Sequence, residues 1–306
     1  MKTLGLALVL QRGHFFSLAF FALAHFSYLC ARKRLSLILA ATAENRKKNG
    51  NTMKKEILDL QIAEATSPWE GFVLLKAEPT EGALPECRPG QFAQLRTGGA
   101  LLRRPISIHN VEEGGRRVWF LVQAVGRGTR WFQTLKAGDC LNAVMPLGNG
   151  FGMPGSGDRV LLVGGGVGVA PLLFQGQRLR ERGIPFAFLL GARSADLLLQ
   201  LEEFRRVGEV FVATEDGSAG ECGLVTQHSA FAAPYTLVQT CGPTPMMRAV
   251  ARLAHEQGMR CEVSLENRMA CGVGACLCCV TEDRTGHNRC VCTDGPVFGA
   301  EELNWD

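Results

Sequence analysis

With 306 residues and 46% hydrophobic content, the chain is long enough for two or three packed domains and too ordinary in composition for a fibrous or disordered protein. Its formal charge of +4 does not point to nucleic acid, because residues 1–55 hold ten Lys/Arg against one acid and leave 23 basic against 28 acidic residues, or −5, in 56–306. No basic face with interleaved aromatics remains in that body, so nucleic acid is excluded as a partner.

The N-terminal stretch carries an uncharged, mostly apolar run at 15–31 between Arg12 and Arg32-Lys33-Arg34, at the lower length limit for a membrane span. If it inserted, the basic cluster would hold the following body in the cytoplasm. A signal peptide fits less well, since Ala41-Thr42-Ala43 lies well beyond the run and past the basic cluster. Met53-Lys54-Lys55 resembles a bacterial N-terminus and leads directly into strand-like alternation. Residues 1–52 are therefore read as an extension, a start assigned too early in preference to an anchor, and the body as cytoplasmic.

From 56 to 150 the chain reads as short apolar strands punctuated by glycine and proline, at 72–75, 92–95, 106–108 and 118–125. That spacing predicts a small antiparallel barrel or sandwich. Arg103-Arg104-Pro105-Ile106-Ser107-Ile108 puts two cations and a hydroxyl on one strand. A flavin dinucleotide needs positive charge opposite its pyrophosphate and a small polar group near its ring, and this strand supplies both. In Val125-Gly126-Arg127-Gly128-Thr129 the glycines permit close backbone approach to a phosphate. Alone it would serve equally as a hairpin turn; the arginine strand upstream favours the phosphate. Pro146-Leu147-Gly148-Asn149-Gly150-Phe151 closes the segment as an ordinary loop.

A second domain starts near Asp158. Arg159-Val-Leu-Leu-Val163 suits a buried parallel strand and runs into Gly164-Gly165-Gly166-Val167-Gly168-Val169-Ala170-Pro171. Proline fits a first helical turn, so a helix is expected over 170–182. Strand, glycine loop and helix N-terminus together make a phosphate site, although the glycines are out of register with GxGxxG. Strand-like runs at 186–190, 210–214 and 236–239 alternate with helical stretches at 203–207 and 245–257, the rhythm of a doubly wound α/β sheet.

Ligands bind such sheets along the edge where strands end. Gly165, Gly166 and Gly168 follow the first strand, Thr214-Glu215-Asp216-Gly217-Ser218 a later one, and Cys241-Gly242-Pro243 a third. They are candidates for the phosphates, for the ribose through Asp216, and for the nicotinamide through Cys241, Gly242 and Pro243. Singly, Cys241 reads as a buried thiol and Glu215-Asp216 as a solvated turn; three such loops after three strands make the case together. Arg193 suits a 2′-phosphate or plain solvent, which leaves NAD and NADP both open.

Seven of the twelve cysteines fall between Cys261 and Cys292, which argues against a disulfide framework and for a metal centre in a reducing compartment. Cys271-x4-Cys276-x2-Cys279 with a distant fourth thiolate is the plant-type ligand pattern of a [2Fe–2S] cluster. Gly272 and Gly274 suit a loop that folds tightly around a compact inorganic core. Structural zinc also accepts four thiolates, but its usual signature is two CxxC knuckles, and here four residues separate the first pair.

Taken together, the Arg-Pro-Ile-Ser strand, Gly-Gly-Gly-Val-Gly-Val-Ala-Pro and Cys-Gly-Pro-Thr-Pro-Met resemble the ferredoxin–NADP reductase superfamily. Met269-Ala-Cys-Gly-Val-Gly-Ala-Cys276 and Val291-Cys-Thr-Asp-Gly-Pro-Val-Phe298 narrow the resemblance to the electron-transfer subunits of NAD-dependent, class 1B dihydroorotate dehydrogenases, from Met53 to the C-terminus. The implied fold is multi-domain: an antiparallel β-barrel flavin domain at 53–155, a doubly wound α/β NAD-binding domain at 156–258, and a small [2Fe–2S] domain at 259–306.

The resemblance puts FAD on Arg104, Pro105, Ile106 and Ser107, on Leu121, Val122 and Gln123, and on Gly128 and Thr129. It puts the cluster on Cys271, Cys276, Cys279 and Cys292, with Cys292 preferred to Cys290 because it directly precedes Thr-Asp-Gly-Pro-Val-Phe. The twelve-residue stretch between Cys279 and Cys292, and the extra thiols Cys278 and Cys290, depart from the expected pattern. An FMN-containing catalytic subunit that oxidises dihydroorotate is the implied partner, in a heterotetramer of two of each. Electrons would pass through the cluster and FAD to NAD+, in de novo pyrimidine synthesis. Two other readings use the same parts: a related reductase subunit for ferredoxin, sulfite or sulfide chemistry, and a noncatalytic nucleotide-binding module with a zinc-stabilised tail.

Overall fold

In β1 (Glu56–Thr66), Leu60 and Ile62 are buried while Asp59, Gln61 and Ala63 are exposed, the period of two that lays one face of a strand on a core. This strand opens the computed structural model, which describes residues 55–305; the apolar run at 15–31 and the question of the start at Met53 lie outside the described residues. β1 joins β2 (Phe72–Pro79), β3 (Phe92–Leu95), β4 (Arg104–Ser107), β5 (Asn110–Val111), β6 (Val118–Gln123) and β7 (Cys140–Leu147) in one seven-stranded antiparallel sheet, order β4-β3-β7-β1-β2-β6-β5. The sheet rolls until β4 lies against β6, and Leu60, Leu75, Leu95, Phe120 and Leu141 fill its inside completely buried. This is the expected barrel. A short helix, α1 (Arg127–Arg130), follows β6.

The second sheet is built on parallel strands β8 (Val160–Gly165), β9 (Phe186–Ala192), β10 (Glu209–Thr214), β12 (Leu237–Cys241) and β13 (Arg260–Ser264), with β11 (Glu221–Cys222) and β16 (Val297–Gly299) at its edges. Its order is β11-β10-β9-β8-β12-β13-β16. β8 and β12 are buried throughout, as strands covered on both faces must be. The covering helices are α2 (Ala170–Glu181), α3 (Leu201–Val207) and α4 (Thr244–Glu256). In α4, Met247, Val250, Ala251 and Ala254 form the buried stripe at helical spacing.

β13 pairs along its whole length with β12 and buries Cys261 and Val263 in alternation. β16 then returns to pair with β13. The cysteine-rich stretch is thus an excursion from the sheet edge over 265–296, carrying the hairpin β14 (Val280–Glu282) and β15 (Asn288–Cys290).

The two sheets share their cores. Phe72, Leu74 and Leu121 of the barrel pack with Val160, Leu172 and Phe188 of the α/β half. In return, Phe174 of α2 lies in the barrel's own cluster. No helix among the described residues is long and apolar enough to cross a membrane.

Candidate functional site

The strand order reverses between β8 and β12, and there the loops after the two strands meet. A Cβ on Gly168 would come 2.4 Å from Gly242 Cα and 2.5 Å from Cys241 O, and one on Gly165 would meet Met246 Sδ at 2.6 Å. Main chain lying against main chain therefore requires glycine at 168, whereas at 165 the flexible end of Met246 is what a side chain would displace. Gly166 is glycine for a different reason, its φ of +56°. Above them opens a cavity of about 880 Å³ whose walls include Phe72, Gln123 and Val125 from the barrel and Gly165, Gly168 and Pro243 from the sheet. That volume is in the range of cofactor sites at such switch points.

Gly165, Gly166, Gly168, Gly242 and Pro243 all line this cavity. Cys241 lies beneath it, fully buried, its thiol pushed far up by burial and by the nearby Glu266 carboxyl. Asp216 sits off the cavity. Its carboxylate accepts hydrogen bonds from Ser218 N at 2.9 Å and Ser218 Oγ at 2.6 Å, which hold it below the usual carboxylate range; Glu215 and Arg193 are the charged residues on this part of the wall. Glu266 was missed by the sequence reading. It lines the cavity, and burial pushes its carboxyl up; its place just after β13, on the ligand-binding edge, was the available signal.

On the barrel the two arginines separate. Arg103 turns into the sheet, its Nη1 donating to Gln94 O at 3.2 Å and Asn142 O at 3.0 Å. Arg104 instead lies over the main chain of Gly128, where an added Cβ would be 2.6 Å from its Nε, and its Nη1 donates to Leu102 O at 2.8 Å. A guanidinium beside bare backbone at the start of α1 fits an anionic diphosphate. Pro105, Ile106 and Ser107 stand opposite Gln94, Ala93 and Phe92 on β3. Leu121 and Val122 have buried side chains, which leaves their main chain to meet a ligand, whereas Gln123 reaches the cavity. The Thr129 hydroxyl accepts from Gly126 N at 3.0 Å and closes its own turn.

The cysteine loop is shaped by residues with positive φ, Gly272 at +70°, Gly274 at +82° and Leu277 at +55°. These turns aim main-chain N–H groups at sulfur. Val273 N and Ala275 N donate to Cys271 Sγ at 3.4 and 3.3 Å, Gly274 N to Cys292 Sγ at 3.2 Å, and Cys292 N to Cys279 Sγ at 3.4 Å. The sulfurs of Cys271, Cys279 and Cys292 thus each accept at least one main-chain N–H. Among the described residues no three His, Cys, Asp or Glu side chains gather as a site for a metal ion. Main-chain N–H donors aimed at the sulfurs of Cys271, Cys279 and Cys292 fit a thiolate-held iron–sulfur cluster, whose negative charge such donors stabilise. Cys290 is tied to the β14–β15 hairpin, its N–H donating to Asp294 Oδ2 at 2.7 Å, and Cys278 is exposed.

Comparison with known proteins agrees with this geometry. The family model of the iron–sulfur cluster binding domain of dihydroorotate dehydrogenase B matches residues 266–304. The electron transfer subunit of dihydroorotate dehydrogenase B (NAD(+)) from Caldanaerobacter subterraneus subsp. tengcongensis is 41% identical over 220 residues, 70% of this chain and 86% of the relative. The chain belongs to the family of dihydroorotate dehydrogenase B electron transfer subunits. Its Bacillus cereus (strain Q1) member is 39% identical over 225 residues, again 70% of this chain and 86% of the relative. Among solved structures, that of the NADH-dependent reduced ferredoxin–NADP oxidoreductase, described for flavin-based electron bifurcation, has a TM-score of 0.73 at 31% identity, covering 80% of this chain and 90% of its own. The FAD/NAD-binding domain of a Vibrio cholerae nitric oxide dioxygenase, at 20% identity and TM-score 0.58 over 67% of this chain and 98% of its own, shares the fold. This chain carries the barrel, the α/β sheet and the cysteine excursion together.

Proposed function

We propose that this chain transfers electrons from a catalytic partner subunit that oxidises dihydroorotate to NAD+, by way of a [2Fe–2S] cluster and FAD. One observation carries the reading: the cysteine loop packs directly on the barrel strand next to the proposed flavin strand. Gly272 abuts Gln94 of β3, and Gln94 stands opposite Pro105 of β4. A one-electron carrier thereby lies beside the site of a flavin, which when bound exchanges single electrons for hydride.

The residues divide the work. Arg104 holds the diphosphate against the Gly128 turn, and Cys271, Cys276, Cys279 and Cys292 hold the cluster. The main chain of Gly165, Gly166, Gly168, Gly242 and Pro243 admits the dinucleotide closely, while Phe72 and Val125 keep water from it. Residues 53–155, 156–264 and 265–296 take the flavin, nucleotide and cluster roles. Leu277, 64% exposed beside exposed Cys276 and Cys278, supplies an apolar contact for a partner that carries FMN. The working assembly is two of each subunit, in the cytoplasm, serving pyrimidine synthesis.

The test is anaerobic copurification with a candidate FMN catalytic subunit, with iron, sulfide and flavin analysis and a dihydroorotate:NAD+ assay. Activity is expected only in the reconstituted pair. Reduction of the isolated chain by dihydroorotate would refute its role as an electron-transfer subunit.

A further inference from the structure

Gln94 is polar, charge-neutral and fully buried on a barrel strand, and neither its Nε2 nor its Oε1 has a hydrogen-bond partner among the described residues. A buried amide left in that state loses its hydrogen bonds to water without replacement, and such groups normally have a partner. Packing identifies the direction of the missing partner. Ala93 and Leu95, its neighbours on β3, belong to the barrel core, so Gln94 points to the opposite face. On that face a Cβ added at Gly272 would lie 2.6 Å from Gln94 Cγ and 2.9 Å from Nε2. The amide therefore touches the main chain immediately after Cys271.

We infer that Gln94 donates a hydrogen bond from Nε2 to a sulfur of the bound cluster and so sets the cluster's reduction potential relative to the flavin. The inference rests on the cluster reading above and extends it, because Gln94 lies outside the cysteine segment, on the strand that pairs with the proposed flavin strand. Every other N–H group given above to a cysteine sulfur comes from the main chain of the cysteine segment itself. Gln94 is the side-chain donor, and the barrel supplies it. Reduction adds negative charge to the cluster, and a donor to sulfur stabilises that charge, so the amide raises the potential. Gln94 is a positioning and tuning residue. It makes electron transfer into the cluster more favourable without touching the substrate.

The experiment compares wild type with Gln94→Leu and Gln94→Met, each purified anaerobically with FAD and cluster. Iron, sulfide and flavin contents are measured first, and the cluster and FAD potentials are then titrated separately, by electron paramagnetic resonance and by visible spectroscopy. Wild type without iron and sulfide would sink the cluster assignment itself, independently of Gln94. With the cluster present, Gln94→Leu is expected to lower the cluster potential, so that the electron distribution shifts about tenfold from cluster toward FAD, the weight of one hydrogen bond to a charged group. Gln94→Met, which keeps the length of the side chain but carries no N–H or O–H donor, should shift it in the same direction. A cluster potential unchanged in both loaded variants, or a shift confined to the FAD, would overturn the inference.

Discussion

His109 is fully buried at the seam between barrel and α/β half, 2.7 Å from the Ala170 carbonyl through Nδ1. A carbonyl only accepts, so the neutral ring carries its proton on Nδ1 and donates it there. Burial pushes its pKa down from 6.5 to about 4. The unfolded chain thus binds a proton below pH 6.5 that the folded chain refuses until about pH 4. This contribution to stability is complete above pH 6.5 and shrinks as pH falls through that window, by at most roughly 3 kcal/mol. Denaturant titrations at several pH values should give His109→Gln a shallower loss between pH 6.5 and 4 than wild type; parallel curves would refute the burial argument. Little of this was legible in the sequence, where His109 was only the residue after an apolar strand. Gly168 and Gly242 were legible as loop glycines, but that Gly168 has no room for a Cβ because the Cys241-Gly242 main chain lies against it is a matter of tertiary contact.

At the scale of elements, the cysteine excursion separates the proposed ligands from the other thiols. Cys292 Sγ accepts the Gly274 N–H, and its own main-chain N–H donates to Cys279 Sγ, whereas Cys290 belongs to a strand whose register partner is Val280. Cys276→Ser is therefore expected to lose iron and sulfide while keeping FAD, and Cys290→Ser to keep all three, read by metal analysis and visible spectra. Full cluster content in Cys276→Ser would remove it from the ligand set. The spacing of the first three thiols was readable because one short loop contains them. The fourth was not fixed by spacing, since it returns across a hairpin whose folding decides which thiol faces inward. Likewise Asp216 and Glu215 are adjacent in sequence, and only the turn closed by Ser218 turns the first onto itself and leaves the second on the cavity wall.

At the scale of the whole molecule, each half completes the other's core, and Phe174 is the clearest instance. It belongs to the helix after the glycine loop, is 1% exposed among barrel side chains, and carries Arg178 over its ring at 5.0 Å. Phe174→Ala should lower stability by about 3–5 kcal/mol, the cost of an emptied aromatic site, measured by denaturant unfolding with flavin release followed in parallel. A loss below about 1 kcal/mol would mean that the helix and barrel are not coupled in this way. The sequence by itself determined the fold class, the glycine loops and the spacing of three candidate cluster thiols, because strand periodicity, loop chemistry and ligand spacing are local properties of the chain. Tertiary structure decided that β13 belongs to the nucleotide sheet, that Arg104 rather than Arg103 faces the Gly128 turn, that Glu266 reaches the cavity, and that Gln94 meets the cysteine loop. Each of these depends on which residues distant in sequence come to lie against one another, and no local pattern encodes that.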